Sequence, residues 1–110
     1  MKITVDTNVL ISATFWYGYS EKIITMVENK EIELVLSKDI IQEYIDVLQY
    51  KEIRDKIEDK DLDFIRPVER IITIATIIRP SVKLHVVKDD PDDNIILECA
   101  KEGKVDYIIS

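Results

Sequence analysis

A short β-branched run, Ile3-Thr4-Val5, stops at Asp6, and a helix-like pattern begins directly after it. This reads as a strand over about residues 2–6 that delivers a carboxylate to the edge of a sheet, followed by a helix over about 7–14. In open α/β sheets, ligands bind outside the carboxyl ends of the strands, so Asp6 stands where chemistry is usually done. The same position suits a helix cap, because Asp, Thr and Asn are all favoured just before a helix. Position alone leaves both roles open.

Strand and helix patterns keep alternating along the chain. Ser20 is expected to cap a second helix carrying Ile23, Ile24 and Val27 at helical spacing, after an aromatic stretch from Phe15 to Tyr19. A strand is expected at about 32–36, and Ser37 starts a third helix that runs to about residue 50. Segments 51–57 and 60–73 look helical, and Pro67 should either kink the second or mark its start. The run from Ile71 to Ile78 is apolar but for Thr73 and Thr76 and fits the end of a helix or a strand. A helix follows Pro91 to near Gly103, and 105–109 makes a last strand. This alternation predicts an α/β fold with a parallel sheet covered on both faces.

Composition narrows the function classes. At 110 residues, 46% hydrophobic, with 2 Gly and 3 Pro, the chain is long enough for one compact domain over 1–110. The single cysteine, Cys99, excludes an internal disulfide framework and reads as a small buried hydrophobe on a helix. The single histidine, His85, excludes a histidine-rich metal site. No apolar run is long enough to span a bilayer, and a cytoplasmic location is expected. A net charge of −7 argues against broad nonspecific binding to nucleic acid. It does not exclude a nuclease, because a bound divalent cation reverses the local charge.

The acids carry the chemical argument. In the third helix Ile40, Ile41, Tyr44, Ile45 and Leu48 form one apolar stripe, with Glu43 at its border and Asp46 pointing away. Glu43 alone reads as an ordinary boundary acid or as a carboxylate reaching toward a cleft. In Lys88-Asp89-Asp90-Pro91-Asp92-Asp93-Asn94, Asp90 suits an N-cap and Pro91 the first helical position. Four acids exceed what capping needs. Asp93 shares a helical face with Ile96, Leu97 and Ala100, which turns it toward the core side, where an acid costs desolvation unless a cation meets it. Asp6, Glu43 and Asp93 can converge at one end of a parallel sheet. A carboxylate-only set suits Mg²⁺ or Mn²⁺, which can activate water for attack on a phosphodiester.

Asp6-Thr7-Asn8-Val9-Leu10 after a strand, Ser37 to Glu43 at a helix start, and Asp90-Pro91-Asp92-Asp93-Asn94 before Ile-Ile-Leu-Glu-Cys-Ala together resemble the PIN domain. Val105-Asp106-Tyr107-Ile108-Ile109 is similar to its final strand. More narrowly, the motifs look like those of the toxin components of prokaryotic toxin–antitoxin pairs. The resemblance covers essentially the whole chain and implies a three-layer fold and a Mg²⁺- or Mn²⁺-dependent ribonuclease. It implies Asp6, Glu43 and Asp93 as catalytic and metal-binding acids, Asn8 as a supporting polar group, and Ser110 as the hydroxyl residue closing the last strand. It also implies an RNA substrate, a cognate antitoxin protein and a homodimer. Family members place a further aspartate about two residues beyond Ser110, so the chain is read as stopping before the last acidic motif, with activity reduced or lost.

Other readings are weaker. A haloacid-dehalogenase-like phosphatase needs a second Asp where this chain has Asn8, and a dinucleotide fold needs a glycine-rich turn that is absent. The serious alternative is a degenerate or truncated PIN-like domain that serves as an interaction module. Phe15 to Tyr19 fits core packing or a partner surface. Lys2, Lys22, Lys38, Lys51, Arg54 and Lys56 are the candidates for RNA phosphate contacts, against a plain solvated surface.

Overall fold

The structure, a computed structural model, describes residues 1–15, 19–50, 65–79 and 91–110, with the backbone alone for Phe15, Tyr19, Ser20, Ile65, Pro91, Asp92 and Asp93. The described elements are β1 (Lys2–Val5), α1 (Thr7–Phe15), α2 (Tyr19–Glu28), β2 (Glu33–Ser37), α3 (Lys38–Leu48), α4 (Ile65–Ile74), β3 (Thr76–Ile78), α5 (Pro91–Glu102) and β4 (Tyr107–Ile109). Expectations for 16–18, 51–64 and 80–90, including His85, the Asp90 cap, Lys51, Arg54 and Lys56, lie outside the described residues.

The four strands form one parallel sheet in the order β3-β2-β1-β4, flanked by helices, an α/β architecture. β1 is therefore interior, and Ile3, Thr4 and Val5 are all buried, as expected of a strand covered on both faces. Thr4 is the polar member of that run, and its hydroxyl meets the Cys99 thiol at 3.6 Å. Burial pushes the Cys99 thiol up from its ordinary pKa, against the opposing effect of its hydrogen bond with Thr4, which bears out the reading of a buried structural cysteine.

Several boundaries differ from the sequence reading. α2 begins at Tyr19, so Ser20 is its second residue and not its cap, a shift within the usual uncertainty of helix ends. Ser37 both pairs with Ile78 in the sheet and caps α3, its Oγ accepting from the Ile40 N–H at 3.1 Å. Pro67 lies in the first turn of α4, where a missing N–H is tolerated. The apolar run from Ile71 divides, finishing α4 at Ile74 and entering β3 at Thr76. β4 is shorter than expected because Val105 and Asp106 are engaged elsewhere. Val105 N–H reaches back to the Ala100 carbonyl, and Lys104 N–H to that of Lys101, a Schellman ending. Asp106 Oδ2 accepts from the Lys2 N–H at 2.8 Å, tying β4 to the amino end of β1.

Gly103, in that turn, is held against the sheet. A Cβ there would lie 2.7 Å from Val35 Cγ1 and 3.0 Å from the Cys99 carbonyl oxygen. Valine is stiff at χ1, so it yields poorly. Gly103→Ala is expected to destabilise the protein by about 1–3 kcal/mol, as overpacking does, measured by urea unfolding.

Arg70 clasps α4 to α2. Its Nε donates to Glu28 Oε2 and its Nη2 to Glu21 Oε1, each at 3.1 Å. The Arg70 hydrogen bond holds the Glu28 carboxyl below its ordinary value of 4.5, and the two glutamates hold the guanidinium above its own. A carboxyl lowered on folding contributes stability that is present above its unfolded pKa and is lost as pH falls through the folded one. The melting temperature is therefore expected to drop on acidification below about pH 4.5, more steeply in the parent than in Arg70→Ala. Equal slopes in the two proteins would refute this role.

Candidate functional site

Asp6 follows the last residue of β1. Its N–H donates to the Ile109 carbonyl at 3.1 Å, which continues the β1–β4 ladder to the carboxyl edge of the sheet. Its backbone oxygen accepts from Val9 and Leu10, and its Oδ1 accepts from the Val9 N–H at 3.0 Å. Asp6 is thus the N-cap of α1, bonded to the third helical residue. Capping uses one carboxylate oxygen. Oδ2 has no hydrogen-bond partner among the described residues, and the side chain is half-buried, so the cap and a ligating role are compatible.

α5 joins two parallel strands and therefore runs antiparallel to them. Its register on β1 is set by the contact of Cys99 with Thr4. From Cys99 toward the start of α5, four or five residues rise about 6–7.5 Å. From Thr4 to Asp6, two strand residues rise about 6.6 Å. Backbone positions 94 and 95 consequently come level with Asp6, and position 93 lies just beyond it at the carboxyl edge of the sheet. The Asp93 carboxylate lies outside the described residues. The face assigned to it needs correction, however. The most buried residues of α5 are Asn94, Glu98 and Cys99, whereas Ile96, Leu97 and Ala100 are half-buried. α5 packs on β1 and β2 through the Cys99 side, which turns the Ile96 stripe to the boundary.

Glu43 is half-buried at the edge of the α3 stripe, whose Ile40, Tyr44 and Leu48 are fully packed. It lines an open cleft of about 360 Å³ with Asp39, Asp46 and Tyr50 from α3 and the following turn, and with Ile95 from α5. Ile95 is two residues beyond Asp93, so the cleft joins the Glu43 helix to the first turns of α5. Asp46 is exposed and accepts from Gln42 Nε2 at 3.0 Å. A second hollow of about 390 Å³, lined by Met1, Lys2, Lys30, Ile32 and Glu33 among others, lies at the amino ends of the strands, away from Asp6.

The remaining expected residues fall as follows. Ser110 is exposed beyond β4, and the pairing of Val5 with Ile109 sets it beside Asp6. Asn8 is exposed on the first turn of α1, and Lys2, Lys22 and Lys38 are exposed. Among the described residues no three His, Cys, Asp or Glu side chains stand close enough to hold a metal ion; Asp93 is not within that set. No described helix is long and apolar enough to cross a membrane.

Sequence reasoning did not single out Thr7. It is 6% exposed, and its Oγ1 is buried with no hydrogen-bond partner. Nor did it single out Glu98, a buried acid on α5. The Asp6 carboxylate at the sheet edge, which uses only Oδ1 in the cap, fits a hydrated hard cation, which takes oxygen ligands and retains waters.

No curated protein and no solved structure matches the chain. A family model does match, and over nearly its full length: the PIN domain model covers residues 2–110. The parallel sheet, the acid at the end of its interior strand and that match agree, and the chain belongs to the PIN domain family, whose fold is of the nuclease type.

Proposed function

We propose that this chain hydrolyses RNA phosphodiesters with a divalent cation, Mg²⁺ or Mn²⁺, held by Asp6, Glu43 and Asp93. The observation that carries the reading is Asp6 at the carboxyl end of β1, where the start of α5, which carries Asp93 in its sequence, comes beside the sheet edge. A cation bound there supplies positive charge for the phosphate and lowers the pKa of water.

The chain's own residues do the positioning. The Val9 N–H fixes Asp6 through Oδ1 and orients the carboxylate. α3 presents Glu43 to a cleft that α5 borders. Such a carboxylate set orients an attacking water and requires no covalent intermediate on the protein. The toxin component of a toxin–antitoxin pair is the narrower form of the proposal, supported by the order of the acidic motifs; a cognate antitoxin, a homodimer and a cytoplasmic location belong to it.

The test is incubation of a single-stranded RNA with the protein plus millimolar MnCl₂, with EDTA and a DNA of the same sequence as controls. Manganese-dependent RNA cleavage is the expected result. An inert protein whose melting temperature ignores manganese would favour the interaction-module reading.

A further inference from the structure

We infer that Tyr50 is a base-stacking residue of the substrate cleft, its ring receiving a nucleobase of a single-stranded RNA; the inference rests on the proposed function. Two tyrosines of this region differ sharply. The Tyr44 ring is fully buried, whereas Tyr50 is 53% exposed. Tyr50 lies just beyond the end of α3, its N–H bonded to the Val47 carbonyl at 3.0 Å. Large apolar side chains exposed singly are ordinary on a protein surface. Of those exposed among the described residues, however, Tyr50 alone lines the cleft that holds Glu43.

α3 sets the geometry. It follows β2 directly and starts at the carboxyl edge of the sheet, so it runs back along the strands. Asp39 stands in its first turn, and Tyr50 lies about 16 Å further on at the helical rise. Both line the same cleft, with Glu43 between them. The cleft therefore starts near the sheet edge and reaches an aromatic ring about 10 Å past Glu43 along the helix, a place for a neighbouring base and not for the reacting phosphate. Charge decides which part of a nucleotide enters. Asp39, Glu43 and Asp46 line the cleft, and carboxylates repel a phosphate where no cation lies between them. The same oxygens accept hydrogen bonds from the N–H groups of a neutral base, and Val47 and Ile95 add apolar wall. Every base has a face that stacks on an aromatic ring, and an unpaired strand leaves that face free.

The test compares the parent with Tyr50→Ala and Tyr50→Phe on one RNA sequence, single-stranded and annealed into a duplex, with MnCl₂ present. The parent is expected to cleave the single strand in preference to the duplex. Tyr50→Ala should raise KM for the single strand about fivefold or more, the usual loss on removing a stacking aromatic, and leave kcat near the parent's, because binding and not the chemical step is weakened. Tyr50→Phe keeps the ring and should keep the parent's KM. A fall in kcat with KM unchanged in Tyr50→Ala would mark a structural role and overturn the inference. A Tyr50→Ala protein with the parent's KM, or a parent that cleaves the duplex as readily as the single strand, would overturn it alone and leave metal-dependent cleavage standing. A parent that cleaves neither RNA with manganese would overturn both.

Discussion

Replacing Asp6 by asparagine is expected to lower metal-dependent RNA cleavage by at least about a hundredfold, since removing even a group that only supports a metal ligand costs about 10–100-fold. The value of this substitution lies in what it keeps. Asp6 Oδ1 accepts the Val9 N–H at the start of α1, and asparagine caps a helix about as well as aspartate. The variant loses a favourable charge at the helix N-terminus, worth about 0.3–1 kcal/mol, and should otherwise fold as the parent does. Asp6→Ala removes the cap as well, at a further cost of about 1 kcal/mol. Urea unfolding beside an RNA cleavage assay separates the two effects. An Asp6→Asn protein that cleaves like the parent would end the assignment of this carboxylate.

Tyr44→Ala is expected to be the most destabilising single change discussed here, at about 3–5 kcal/mol. Its ring is fully buried among the residues of the main core, and its hydroxyl is hydrogen-bonded with Thr14 of α1. Burial raises its pKa, the largest influence on it, against the opposing bond with Thr14. Tyr44→Phe keeps the packing and removes only the hydroxyl. Thr14 still has the Leu10 carbonyl, so about 0.5–1.5 kcal/mol is the expected loss. Chemical denaturation of the three proteins distinguishes these magnitudes. A loss in Tyr44→Phe as large as in Tyr44→Ala would place the stabilisation in the hydrogen bond and not in the ring. The residue matters for the site because it locks α3, which bears Glu43, to α1, which Asp6 caps.

The sequence revealed those features whose signal is local. β1 and β2 are short β-branched or alternating runs bounded by polar residues, and the apolar stripe of α3 has a clean helical period, so their type and approximate extent could be read directly. Asp6 was legible because a strand end and a helix start coincide there. Glu43 was legible as a boundary position. The division of the run from Ile71 was not, because so short and largely apolar a stretch has no decisive period, and the break comes from the pairing of Thr76 to Ile78 with β2. The buried side of α5 was misread for a related reason. Apolar residues surround that helix, and the side facing β1 and β2 is decided by the fit of Cys99 beside Thr4, which also buries Asn94 and Glu98. Thr7 could not be found at all from sequence. An unsatisfied hydroxyl is a statement about surroundings, and a threonine after an aspartate at a helix start looks like ordinary capping chemistry.

The pairing of β1 with β4 has a consequence for the order in which the molecule assembles. Lys2 and Asp106 touch across 104 positions of chain, and Asp6 obtains its sheet partner only from Ile109. Contacts so distant in sequence require a long loop to close before they contribute, so they are slow to form. The unit of β1, α1, β2 and α3 has much shorter loops to close, yet by itself it offers the Asp6 amide no strand partner. The geometry at the sheet edge therefore hangs on contacts between the two ends of the described sequence, and any opening that frees β4 from β1 takes the Asp6 amide's strand partner with it.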